Sequence, residues 1–314
     1  MLRILANRVM VAVPTLILVS MLIFGLQKML PGDPVLAMAG EDQNPQVIAV
    51  LRAQYHMDDS VPLQYLYWVK GVLHGDLGHS LRTEVAVTTL IAQKLPVTIQ
   101  LAVMGMLIAV LIGIPLGVLS AARRGTALDH VANVVALSGM SIPNFWLGIL
   151  LIFIVSVKWQ LLPSSGYVSP GQDFWLSIKT MLMPAFVLGA ALGAQLMRHT
   201  RSAMLSVLRA DYIRTARAKG LRAPTVVIKH GLRNAMIPIV TVLALLFGEL
   251  LAGAVLTEQV FTIPGFGKLI VDAVFNRDYA VVQGVVLVTA LSFIVVNLFA
   301  DALYMLLNPR LRRQ

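Results

Sequence analysis

The sequence contains no cysteine. That excludes disulfides, zinc–thiolate sites, iron–sulfur clusters and thiol catalysis. Charge is scarce as well: 13% of the 314 residues are Asp, Glu, Lys or Arg, where a soluble domain carries about a quarter. With 58% hydrophobic residues, neither a soluble enzyme domain nor a disordered chain fits. Acids are the scarcer sign, 15 against 25 bases, and the net charge is +10. A basic surplus points to nucleic acid or to a membrane, and the hydrophobicity decides for the membrane. No G-x-x-x-x-G-K-[ST] loop is present to cradle phosphates, since Gly267-Lys268 lacks the upstream glycine. The period-2 alternation of a membrane barrel is missing, and so is any internal repeat.

What the chain does have is six long apolar runs: Val9–Gln27, Val97–Ala122, Val131–Val157, Thr180–Met197, Asn234–Thr257 and Tyr279–Leu307. A span needs about 20 apolar residues, and backbone polar groups in lipid must be satisfied within the segment. The expectation is an all-α membrane protein of six transmembrane helices. Lys and Arg counts orient it. With the N-terminus cytoplasmic, segments 1–8, 123–130, 198–233 and 308–314 hold 2, 2, 9 and 3 basic residues. The short opposite loops 158–179 and 258–278 hold two each. Both termini are therefore expected in the cytoplasm. Arg3 and Arg8 before an apolar run, with Ala37-Met38-Ala39 beyond it, imitate a cleaved signal peptide. The run exceeds the usual core of about 7–15 residues, so it reads as a retained span.

The division that follows is residues 1–27 as tail and first span, 28–96 as an extracytoplasmic helical lobe, 97–307 as a five-helix core, and 308–314 as a cytoplasmic tail. In the lobe, Asn44 and Pro45 open a helix to about Gln54. Ser60 and Pro62 open a second that carries Tyr65, Tyr67 and Trp68, and Gly75-Asp76-Leu77-Gly78 reads as a turn. A lobe of this kind either caps helix ends or docks an extracytoplasmic partner. His74, Asp76 and His79 are possible metal ligands without helical spacing, and read as solvated loop residues. Trp159 and Trp175, near span ends, read as interfacial anchors.

Polar residues within the runs are candidates for a pathway. Glu249 is the one acid in mid-span, where an ionised side chain is costly and usually faces a cavity. Its alternative is a neutral carboxyl bonded to a neighbouring span. Asn144, after Pro143, and Gln195 either line a cavity or hold helices together. Asp301 reads as a structural partner of Arg310. Gly189, Ala190, Ala191, Gly193 and Ala194 read as close helix packing, and Ser141-Ile142-Pro143 as a kink.

The most informative stretch is 198–233, with nine bases against the single acid Asp211. Asp211 caps a helix over Tyr212–Lys219, Gly220 ends it in a left-handed turn, and Pro224 opens a second short helix. Ala216, Ala218 and Gly220 leave room for another surface to approach. Attraction to anionic lipid or generic positive-inside charge would tolerate the same arrangement.

Arg214-Thr215-Ala216 followed by Gly220 resembles the EAA signature of bacterial ATP-binding-cassette importer permeases. Of the generic pattern only Ala216, Gly220 and Leu232 match; Arg214, Thr215, His230 and Arg233 depart from it. Tyr212–Leu221 and Lys229–Pro238 resemble the peptide/nickel branch, which reads YxRTARAKGL and then KHxLRNAxIP. Leu30-Pro31-Gly32-Asp33-Pro34, Gly75-Asp76-Leu77-Gly78, Pro264-Gly265-Phe266-Gly267, Arg277-Asp278-Tyr279 and Asn308-Pro309-Arg310 are similar to the first-type subunit of that branch.

The resemblance implies a type I importer permease in the bacterial inner membrane. It implies half of a pathway for di- or oligopeptides, glutathione or nickel chelates. It also implies a second related permease, two ATPase subunits and an extracytoplasmic binding protein as partners, with no nucleic acid. ATP and Mg²⁺ would sit on the ATPases, and this chain would bind no cofactor and catalyse nothing. Tyr212, Arg214, Thr215, Ala216, Arg217, Ala218, Lys219, Gly220, His230, Leu232 and Arg233 would form the ATPase-coupling segment. Glu249, Asn144 and Gln195 are the pathway candidates. A secondary transporter would want ion sites and broken repeats, and an aspartyl enzyme a close pair of acids; the sequence offers neither.

Overall fold

The structure, a computed structural model, describes residues 2–28, 44–54 and 57–307. Among these residues β pairing is confined to one isolated antiparallel bridge, His79 with Ala86. The helices are α1 Leu2–Lys28, α2 Pro45–Gln54, α3 Val61–Leu73, α4 Val87–Ala122, α5 Ala127–Ser141 and α6 Asn144–Leu151. There follow α7 Phe174–Leu208, α8 Asp211–Ala218, α9 Ala223–Thr225, α10 Arg233–Val260, α11 Phe266–Phe275 and α12 Tyr279–Leu307. Wider π turns continue α6 over Ile152–Lys158 and join α9 to α10 over Val226–Leu232. Among the described residues five helices are long and apolar enough to cross a membrane, and α5 with α6 makes a sixth if the bent pair is one span.

That third span is broken rather than kinked. α5 and the α6 segment meet at 97°. The cause is local: Pro143 has no N–H to donate, and it forces Ile142 into extended backbone with φ −79° and ψ 123°. The helix before it ends at Ser141, and a new one starts at Asn144.

The lobe helices begin as the sequence reads. Asn44 Oδ1 accepts from the Gln46 N–H at 3.0 Å, and Pro45 opens α2. Gly75 and Gly78 take positive φ, so Gly75–Gly78 is a tight turn. α4 starts at Val87, ten residues ahead of the apolar run, because Val87 and Ile91 face inward while Thr88, Lys94 and their neighbours interrupt the hydrophobicity. Leu30–Pro34, Ala37-Met38-Ala39 and Asn308-Pro309-Arg310 lie outside the described residues, as does the pairing expected of Asp301 with Arg310.

The chain divides into two compact units. One joins Leu2–Val97 to Pro264–Ile294. Its core is Val87, Ile91, Phe266, Ala273, Val281 and Val285. Asp278 pins the 80–81 turn, accepting from Ser80 Oγ at 2.5 Å and from the Leu81 N–H at 3.1 Å. α1 holds α3 through the rings of Phe24, Tyr65 and Trp68 and a bond between Ser20 Oγ and Tyr65 Oη of 2.8 Å. α3 thus packs on α1, and Leu77 with the start of α4 packs on α11.

The other unit joins Thr98–Ile263 to Val295 and beyond. α7 is its central helix: 72% of its most apolar stretch is buried, against 28–33% in α4, α10 and α12, which leaves those three with faces for lipid or another subunit. α4 and α7 approach along a glycine seam. A Cβ on Gly113 would lie 2.7 Å from the Gly193 carbonyl, one on Gly117 2.6 Å from Thr200 Cβ, and one on Gly189 2.6 Å from the Gly105 carbonyl. The close packing read from Gly189 and Gly193 is present, and its other half is on α4. Glu258, fully buried, accepts from Thr98 Oγ1 at 2.5 Å and ties α10 to α4.

Candidate functional site: an intramembrane cleft and the segment below it

Glu249, Asn144 and Gln195 come from three different helices, and they line one cleft of about 250 Å³ with Met140, Leu188, Ala191, Leu192 and Leu250. The broken third span is what brings Asn144 there. Its new helix starts at that residue, so the carboxamide and the Met140 thioether from the end of α5 border the same space. Glu249 is exposed to the cleft, and Asn144 and Gln195 are half-buried. Two amides and one carboxyl over aliphatic walls suit a polar solute with a hydrogen-bonding spine.

A second cleft, of about 350 Å³, shares Met140 and Gln195 with the first and adds Arg198, His199 and Ser202. The sequence reading passed over these three. Their signal is positional: 195, 198, 199 and 202 fall at the i, i+3, i+4, i+7 spacing that puts residues on one helix face.

Beyond the cleft lies the basic segment. α8 ends as the sequence indicates. Gly220 has φ +75°, its N–H bonds to the Arg217 carbonyl at 2.9 Å, and the Leu221 N–H reaches the Ala216 carbonyl at 3.4 Å. That pair of bonds is a Schellman ending, which glycine accepts at little cost. Three details differ from expectation. Asp211 is the first helical residue rather than the cap, which is Ala210; its carboxylate still favours the helix N-terminus and lies 3.4 Å from Arg214. Pro224 does open a helix, but that helix is not separate: it runs through the Val226–Leu232 turns into α10. Ala216 faces inward, 7% exposed, against Ile213 and Val226, so it offers no surface.

Tyr212, Arg214, Thr215, Arg217, Ala218, Lys219, Gly220 and Arg233 are exposed, while His230 and Leu232 are half-buried. With the buried Ala216, six of the eleven coupling candidates are within α8, and Ile213 and Ala216 seat that helix on the chain. The exposed Arg214–Asp211 pair contributes little to stability. A Cβ on Gly231 would lie 3.2 Å from Met204 Cε, so the π turn is packed closely on α7.

The base of this segment is held by a clamp that sequence reading missed. Arg201 Nε and Nη2 donate to Asp129 Oδ1 and Oδ2 at 2.8 and 2.9 Å. Ser120 Oγ donates to Oδ1 at 2.5 Å, the Gly125 N–H to Oδ2 at 2.9 Å, and Asn133 Nδ2 to Oδ1 at 2.9 Å. One carboxylate therefore joins the end of α4, the turn after it, α5 and α7. Both residues lie in charged segments outside the apolar runs. The Arg201 guanidinium, then the Ser120 hydroxyl and the Gly125 N–H, hold the Asp129 carboxyl well below the usual carboxylate range. Seventy-two positions separate the partners, so no local pattern announces the pair.

In the lobe, His74 Nδ1 lies 2.7 Å from the Lys70 carbonyl, and Asp76 accepts from the Gly78 N–H at 2.8 Å. No group of three or more His, Cys, Asp or Glu side chains gathers as a metal site among the described residues. Trp159 and Trp175 are exposed, as interfacial rings would be.

Residues 113–313 match the family described as binding-protein-dependent transport system inner membrane component, and residues 1–102 match the N-terminal part of such membrane components. The chain is 44% identical to the dipeptide transport system permease protein DppB of Escherichia coli K12, with 100% of both chains covered. It is 42% identical to the glutathione transport system permease protein GsiC of Pectobacterium atrosepticum, with 99% of each covered. A structure of the MetNI methionine ABC transporter in inward-facing form shares the fold at a TM-score of 0.57 and 17% identity, over 70% of this chain and 96% of that one. Apolar spans, polar cleft, full-length identity and family match agree: the chain belongs to the binding-protein-dependent transport system inner membrane components, and it is a multi-pass permease subunit of an ABC importer, not an enzyme.

Proposed function

We propose that this subunit forms half of the pathway by which short peptides enter the cell. The observation that carries the reading is the meeting of Glu249, Asn144 and Gln195, from α10, α6 and α7, on one cleft. A peptide's ammonium group is a natural counter-ion for Glu249, and its amides match the two carboxamides. The dipeptide relative favours this cargo. The glutathione relatives favour a second reading, a tripeptide with an extra carboxylate, on the same machinery.

In this reading both termini and the 198–233 segment face the cytoplasm. The exposed face of α8 seats in a groove of an ATPase that carries ATP and Mg²⁺, and Arg214, Arg217, Lys219 and Arg233 pair with acidic groove residues. A second, related permease supplies the other half-pathway, two ATPases close beneath the pair, and an extracytoplasmic protein delivers the cargo. Nucleotide-driven closure moves α8 as a lever between two states of the cleft.

Uptake of a labelled dipeptide by the assembled transporter tests the cargo and the cleft together. Glu249→Gln is expected to lower it about tenfold, the worth of one charged hydrogen bond. Unchanged uptake would remove Glu249 from the pathway.

The lever has its own test. No atom lies within 4 Å of a Cβ built on Gly220, so Gly220→Val strains only the backbone turn. Left-handed backbone costs a side chain about 1–2 kcal/mol, enough to redirect the chain after α8 but not to unfold the protein. The variant is expected to keep its ATPase partner and lose transport. Deletion of 212–220 is expected to lose both. If copurification and uptake survive the deletion, the lever is wrong.

A further inference from the structure

Arg198 and Arg201 are one turn apart on α7 and are used differently. Arg201 is consumed by the bidentate bond to Asp129. Arg198 is exposed at the second cleft, and the acceptor at its guanidinium is the Met140 thioether, 3.6 Å from Nη1. Sulfur is a weak acceptor. No carboxylate pairs with Arg198 among the described residues. His199 and Ser202 border the same space, so an anion there would meet a guanidinium, an imidazole and a hydroxyl.

The two clefts share Met140 and Gln195 and are therefore adjacent along α7. The first holds the acid Glu249 together with Leu188, Ala191, Leu192 and Gln195 of α7; the second holds Arg198 and His199. From Ala191, midway along the α7 wall of the first cleft, to Arg198 is seven residues of helix, about 10 Å at 1.5 Å per residue. An extended chain covers about 3.3–3.6 Å per residue, so three residues span about 10 Å. Opposite charges sit at the two ends of a polar track of tripeptide length.

We propose that Arg198, with His199 and Ser202, is a binding station for the free carboxylate of a short zwitterionic peptide whose ammonium group is held at Glu249. The station rests on the peptide reading above and adds to it. It makes the permease, and not only a delivering protein, sensitive to a free C-terminus.

The test compares a fluorescent-labelled tripeptide with its C-terminal amide, binding to the assembled transporter in nanodiscs without binding protein. Wild type is expected to hold the free acid about tenfold more tightly than the amide, and Arg198→Gln to abolish that difference by weakening the acid alone. Arg198→Lys, which keeps the charge, should retain a preference for the acid and shows that the site is still folded. Equal loss of both peptides in Arg198→Gln, or no preference in wild type, would overturn the station. Glu249→Gln run alongside separates the readings. If it leaves binding unchanged while Arg198→Gln still erases the acid preference, the Glu249 end of the pathway fails and the carboxylate end stands alone.

Discussion

Arg201→Met should destabilise the folded subunit by about 3–5 kcal/mol, because it strands the Asp129 carboxylate in a site from which water is almost excluded. The Asp129 side chain is 4% exposed and that of Arg201 25%, so water relieves the orphaned charge little. Ser120, Gly125 and Asn133 would still donate to it, which places the loss nearer the lower bound. The double variant Asp129→Leu, Arg201→Met removes both charges and should recover most of the loss, since an apolar pair can replace a buried ion pair. Thermal unfolding in detergent of the two single variants and the double reads the difference. A single variant as stable as wild type would mean that the clamp holds nothing. The pH dependence follows from the depressed Asp129 pKa. A lowered carboxyl contributes stability above its unfolded value, so the clamp is whole above about pH 5 and weakens as pH falls below about 3.9.

Gly117→Leu should prevent the α4–α7 seam from closing. Its Cβ alone would lie 2.6 Å from Thr200 Cβ and 2.7 Å from the Met197 carbonyl, and a backbone oxygen in the middle of a buried helix has nowhere to go. Overpacking of a core costs typically about 1–3 kcal/mol when side chains can give way, and here the neighbour is backbone. Folded yield by size exclusion should fall several-fold. The same replacement at Gly25, where no atom lies within 4 Å of a built Cβ, should leave it unchanged. Normal yield of Gly117→Leu would show that the two helices have slack between them.

These two sites mark the limit of what sequence alone disclosed. The apolar runs, Asn44 before Pro45, the Gly220 ending and the three cleft residues were legible, because each rests on a local rule: span length, capping, left-handed backbone, the cost of a polar group in lipid. The clamp was not, because Asp129 and Arg201 each look like ordinary loop charges until folding places them together. Glu258 was hidden for the same reason, its Thr98 partner lying 160 positions away. The break at Ile142-Pro143 was visible as a kink, but the residue run does not show that Ile142 turns extended and lets the two helices meet at 97°. The start of α4 at Val87 was obscured because one buried face is enough to hold a helix, and hydropathy averages over all faces.

α7 keeps two separate accounts on opposite sides. Gly189, Gly193, Leu196 and Thr200 meet α4. Ala191, Gln195, Arg198 and Ser202 border the clefts. The sets are offset by two residues, about 200° around the helix. A saturation library confined to 191, 195, 198 and 202 would therefore sample altered cargo choice while sparing assembly, whereas the same diversity at 189, 193, 196 and 200 would return mostly protein that never matures.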